Sequence, residues 1–117
     1  MAREYDLKER TLKYAEDVID FCGSIRVTIV TKPLMSQFIR SGTSVGANYC
    51  EATNASSKKD FRNKIFICKK EAEESKYWIK LLAKASPDAA DRAKSIARET
   101  QELLLIFQKI ILSTKES

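Results

Sequence analysis

Four times in a chain of 117 residues, apolar and small side chains recur at alternating steps of four and three. The first run is Leu7, Thr11, Tyr14, Val18, Phe21, Ile25 and Thr28, and the second is Leu34, Phe38, Ser41, Val45, Asn48 and Ala52. The third is Phe61, Ile65, Cys68, Ala72, Ser75, Ile79 and Leu82, and the fourth is Ala89, Ala93, Ile96, Thr100, Leu103, Phe107 and Ile110. Such steps hold side chains on one face of an α-helix. No segment sustains the alternate-residue pattern of a half-buried strand, so the expected fold class is all-α.

Helix signals fall between the runs. Thr31 stands two residues before Pro33, a capping hydroxyl ahead of a first-turn proline. Ser57 precedes Asp60 as a cap with an acid three residues on, and Ser86-Pro87-Asp88 repeats the logic. Helices are therefore expected at about 5–28, 32–54, 58–84 and 87–113, with Gly23 as a point where the first could bend or end. Short connections make consecutive helices antiparallel neighbours. The expected architecture is an up-down-up-down four-helix bundle occupying residues 1–117 as one domain.

Composition narrows the chemistry. There is no histidine, which removes His-based acid–base and nucleophilic catalysis and the commonest zinc sites. Cys22, Cys50 and Cys68 are far apart and form no CxxC pair, so they read as small buried hydrophobes in a reducing compartment. No apolar stretch approaches the roughly 18 residues of a spanning helix, and the charged N-terminus lacks a signal-peptide core. A cytoplasmic protein with no membrane partner, no cofactor and no metal is expected.

The net charge of +5 is concentrated. Residues 58–85 carry nine basic and four acidic side chains, an excess equal to that of the whole chain. At 100° per residue, Lys59, Arg62, Lys69, Lys76, Lys80 and Lys84 share one outward face of the third helix, with Lys58 and Lys70 nearby and Glu73 and Phe66 interrupting. Cations that neutralise phosphates, beside a ring that stacks on an unpaired base, suit RNA or DNA. A solvated helix face with i,i+4 ion pairs fits the same residues.

The apolar surface is wider than one seam per helix. Ile67, Trp78 and Leu81 flank the third seam, and Ala90, Ala97, Leu104 and Ile111 recur every seven residues beside the fourth, joined by Leu105, Ile106 and Leu112. A monomeric bundle needs one stripe per helix. The extra stripes imply a fat core or a subunit interface, and the expectation is an interface through Ile67, Trp78, Leu81, Leu104 and Ile111.

The stretch Arg40 to Cys50, RSGTSVGANYC, has the composition of a phosphate loop but the spacing of none. Its seam residues keep helical phase throughout. Gly42 and Gly46 then form a GxxxG strip where a neighbouring helix approaches closely, at about 2 kcal/mol of lost helix propensity. Asn48 in the seam is expected to fix register. Glu71 and Glu74 are expected to pair with Arg40 or Lys64 rather than hold metal, and no nucleophile–base set accompanies Lys64. Catalytic residues are not expected; Arg40, Asn48 and Glu51 are expected to be structural polar fixtures.

The runs FIRSGTSVGANYCEA and FRNKIFICKKEAEESKYWIKLL, preceded by YDLKERTLKYAEDVIDF, resemble the 23S rRNA intervening-sequence protein family, also called four-helix-bundle proteins. Arg40-Ser41, Ser44, Asn48, Glu51, Phe61, Glu71 to Glu74 and Trp78 carry the likeness. Cys50 stands where the family pattern often has an acid. The resemblance implies a non-enzymatic bundle that assembles into a ring, commonly a homopentamer. Some members are encoded within insertions in 23S rRNA genes. A related branch, the accessory variability determinant of diversity-generating retroelements, pairs a basic ring with nucleic acid and a reverse transcriptase. The alternative is an interaction scaffold or accessory subunit for a polymerase or other protein partner, in which the extra apolar surface carries the function and the lysines keep the ring soluble.

Overall fold

A computed structural model describes residues 7–114. Four α-helices follow one another: α1 (Leu7–Gly23), α2 (Thr31–Thr53), α3 (Lys58–Ala85) and α4 (Ala90–Ser113), with a 3-10 turn at Pro87–Ala89. No strand occurs among the described residues. The molecule measures 47 × 28 × 19 Å. At 1.5 Å per residue, the 28 residues of α3 nearly span its length.

Side-chain ties show that neighbouring helices run antiparallel. Gly42 and Gly46 of α2 lie against Val18 and Thr11 of α1. Arg40 near the middle of α2 and Glu51 near its C-terminal end reach Glu74 and Lys64 of α3. Arg62 and Lys76 of α3 reach Thr114 and Gln101 at the α4 side. The sides α1/α2, α2/α3 and α3/α4 are closely packed, while α1 meets α4 only lightly and sits diagonally across from α3.

The seams form the core. Tyr14, Val18, Phe21, Phe38, Val45, Ile65, Cys68, Ile79, Leu82, Leu103 and Phe107 are all but inaccessible. Cys22 and Cys68 are buried as expected, whereas Cys50, off the α2 seam, is exposed. Phe21 and Phe38 meet edge to face, with ring centroids 6.1 Å apart. The seam hydroxyls are paired: Tyr14 Oη lies 2.6 Å from Thr100 Oγ1, and Ser41 Oγ lies 2.8 Å from Ser75 Oγ. Thr100 and Ser75 also donate to carbonyls of Ile96 and Glu71 one turn back. Burial pushes the Tyr14 phenol up to about 12, against the opposing pull of its bond to Thr100.

The GxxxG strip is helical and closely packed, as its phase predicts. A Cβ on Gly42 would stand 2.9 Å from Val18 Cγ2, and one on Gly46 would stand 3.1 Å from Thr11 Oγ1 and 3.3 Å from the Thr11 carbonyl. The two glycines thus let α1 settle onto α2.

Three boundaries differ from the spacing. The first helix stops at Gly23, not 28. Ser24 and Ile25 donate three residues back, to the carbonyls of Phe21 and Cys22, which tightens the last turn. Ile25 still buries itself, so the apolar phase outlives the helix. The α2 entry is capped by Thr28 rather than Thr31. Thr28 Oγ1 accepts from Thr31 N at 3.0 Å while Thr31 Oγ1 accepts from Thr28 N at 2.9 Å, a reciprocal capping arrangement. The fourth helix begins through the 3-10 turn, with Ala89 N donating to Ser86 O and no side-chain cap from Ser86. At α3 the expected cap is in place: Ser57 Oγ accepts from Asp60 N at 3.0 Å.

Candidate nucleic-acid interface

The six cations named from the sequence do lie along one flank of α3, the flank beside α4. Lys59, Lys80 and Lys84 are exposed. Arg62 is half-buried, donates from Nε to Thr114 Oγ1 at 3.2 Å, and stacks its guanidinium over the Phe66 ring at 5.1 Å. Lys76 donates to Gln101 Oε1 at 2.7 Å. Lys69 stands 3.8 Å from Glu73, a loose i,i+4 pair at a surface site. The stripe is therefore anchored to α4 at two points, and α4 is part of its surface.

The acids of α3 are mostly elsewhere. Glu71 and Glu74 accept from Arg40 of α2, with Glu71 at 3.2 Å. Glu74 Oε2 also accepts from Trp78 Nε1 at 2.9 Å. That indole bond, together with Arg40, holds the Glu74 carboxyl below its ordinary pKa. Lys64 donates to Glu51 at 2.8 Å, which raises the Lys64 pKa. Asp60 belongs to the α3 cap and accepts from Ser56 N. Glu73 is left as the one acid of α3 within the basic flank. Spatial segregation, more than the number of lysines, makes this face positive.

Arg40 and Glu51 thus act as the expected ties between α2 and α3. Asn48 does not fix register across helices: it is half-buried and donates to Ser44 O of its own helix at 2.8 Å. The buried cross-helix polar contacts come instead from the hydroxyl pairs Tyr14–Thr100 and Ser41–Ser75.

The apolar stripes divide. Ile67, Trp78 and Leu81 stay partly exposed on α3. Leu104 and Ile111 are buried, at 9% and 4% exposure, and belong to the core. Their seven-residue recurrence is covered within the chain itself, so they present almost nothing to another subunit. The exposed apolar residues of α4 are Leu105 and Leu112, with Leu12 and Ile19 on α1. The loop between α1 and α2 adds Val27, Val30 and Ile29, the last 92% exposed.

Two features escaped the spacing. Arg10 of α1 clasps Glu99 at 2.7 and 2.9 Å and Glu102 at 2.7 Å, closing the bundle to α4. No local signal joins residues some ninety positions apart. The exposed Val27-Thr28-Ile29-Val30 loop was hidden by the apolar phase that Ile25 continues. Among the described residues no three Cys, Asp or Glu side chains gather as a metal site would need, and no helix is long and apolar enough to cross a membrane.

The architecture defines an antiparallel four-helix bundle with one basic outer face, shared by α3 and the edge of α4. The chain belongs to the 23S rRNA-intervening sequence protein family, whose model matches residues 3–109. A similar solved structure is a protein of unknown function from the S23 ribosomal protein family of Bacteroides thetaiotaomicron VPI-5482. It is 31% identical, the match covers 89% of this chain and 96% of that one, and the TM-score is 0.79. No curated protein matches the chain.

Proposed function

We propose that this is a non-enzymatic, cytoplasmic, ring-forming bundle, a homopentamer by analogy with its family, that binds RNA or DNA through the basic flank of α3. The observation that carries the reading is the segregation of charge: Glu71 and Glu74 are turned to Arg40, leaving Glu73 alone among Lys59, Arg62, Lys69, Lys76, Lys80 and Lys84. Repeating that flank around a ring multiplies a weak contact into avidity. Binding of this kind is weakly sequence-specific and falls steeply with salt.

The test is a gel-shift titration at two salt concentrations. Arg62→Glu combined with Lys69→Glu is expected to weaken binding at least tenfold and flatten the salt dependence. The pair Lys8→Glu and Lys13→Glu on α1 changes net charge equally and is expected to matter much less. Equal losses from both pairs would assign the effect to net charge and reject the flank.

The exposed apolar loop, with Ile29 at 92%, favours a second reading as a scaffold or accessory subunit for a protein such as a polymerase or reverse transcriptase. A partner retained through nuclease and high salt, and lost with Ile29→Ser, would support it.

A further inference from the structure

The basic flank is not purely basic, and its apolar members point to the class of ligand. Phe66 is 43% exposed in the middle of the cations, while Leu105 and Leu112 on the adjoining helix are 55% and 57% exposed. The ties Arg62–Thr114 and Lys76–Gln101 set the register of α3 against α4. In that register Phe66 comes level with Ile110 and Ile111, about one residue short of Leu112, and Lys69 with Phe107 and Gln108. Immediately C-terminal to the Phe66 ring, a shallow depression of about 310 Å³ is lined by Phe66, Ile67, Lys69, Lys70 and Glu73. Arg62 covers part of the ring at 5.1 Å and steadies it.

A duplex shows such a surface its phosphates and sugars and keeps its base faces stacked inside. Phe66 and the two leucines would then lie against the charged backbone and contribute nothing. An unpaired strand offers base faces between its phosphates, which matches a ring set among cations. We infer that the flank takes single-stranded nucleic acid, with one base stacked on Phe66 over the depression and the neighbouring phosphates held by Arg62 and by Lys69 and Lys70. This rests on the nucleic-acid reading above and adds the strandedness of the ligand and the residue that senses it. Glu73, at the rim beside Lys69, also disfavours a continuous run of phosphates past that point.

The experiment compares wild type, Phe66→Ala and Phe66→Trp on a fluorescent single-stranded RNA and on the same sequence annealed to its complement. Wild type is expected to bind the single strand more tightly. Phe66→Ala is expected to weaken single-strand binding roughly tenfold, consistent with the loss of one stacked base. Duplex binding should hardly change, and Phe66→Trp should retain single-strand affinity. Duplex binding as tight as single-strand binding, with Phe66→Ala silent on both, overturns the inference while leaving the charge-based reading intact. Failure of wild type to bind either ligand at low salt overturns that reading and this one together. Sedimentation of the Phe66→Ala protein separates a further case: lost binding accompanied by a lower assembly mass would make Phe66 a subunit contact and reject stacking.

Discussion

Gly42 and Gly46 do their work by having no side chain. A methyl at Gly42 would stand 2.9 Å from Val18 Cγ2, inside a core where Val18 has no accessible surface to retreat into. Overpacking costs about 1–3 kcal/mol, and alanine returns about 1 kcal/mol of helix propensity. Gly42→Ala is therefore expected to lower stability in urea melts. Gly23 is the control: nothing lies within 4 Å of an added Cβ there, so Gly23→Ala should be neutral or slightly stabilising. Equal effects at the two sites would refute the close-packing account. Tyr14 supplies a pH readout. Its folded-state value of about 12 exceeds the ordinary 10 of an unfolded tyrosine. The neutral phenol is favoured by the fold, so its contribution is complete below pH 10 and is lost as pH rises from 10 toward 12. Alkaline melts should show that loss, and Tyr14→Phe should reduce the slope in that window while costing about 1 kcal/mol at neutral pH through the bond to Thr100.

Among the elements, α1 is held most loosely. It lies on α2 through the glycine strip, avoids α3, and joins α4 by the Arg10 clasp and the Tyr14–Thr100 pair. Beside that seam a cleft of about 650 Å³ opens among Leu7, Arg10, Tyr49, Ile106, Lys109, Ile110 and Ser113. Local opening follows such weak sides. The amide hydrogens of α1 are expected to exchange faster than those of α3, and raised salt should speed them further by screening Arg10 from Glu99 and Glu102. Uniform exchange across the four helices would contradict this. The same helix shows where sequence reading stops. Its seam from Leu7 to Phe21 was legible because burial repeats with the helical period. Its end was not, because Ile25 keeps the apolar phase from within a loop. The Arg10 clasp was illegible for a different reason, since it exists only once α1 and α4 are side by side. In the basic flank all six cations could be read from helical phase. Spacing pairs Glu71 and Glu74 with Arg40 or Lys64, but the effect of that pairing on the field of α3 needs the geometry. Leu104 and Ile111 were misassigned because a seven-residue repeat does not say whether a neighbour inside the chain already covers it.

On the scale of the whole molecule, the diagonal placement of α1 and α3 has an electrical meaning. The exposed side of α1 carries Glu9, Glu16 and Asp20 beside Lys8 and Lys13, a slight acidic excess, while the cationic flank occupies the far corner of a body only 19–28 Å across. That separation is roughly two to four times the Debye length of about 8 Å at physiological ionic strength, so under those conditions the two corners barely feel one another. At low salt they act together as a molecular dipole. A polyanion drifting past would then be turned toward one corner and away from the other before any contact forms, and its rate of capture, more than its residence time, would fall as salt is added.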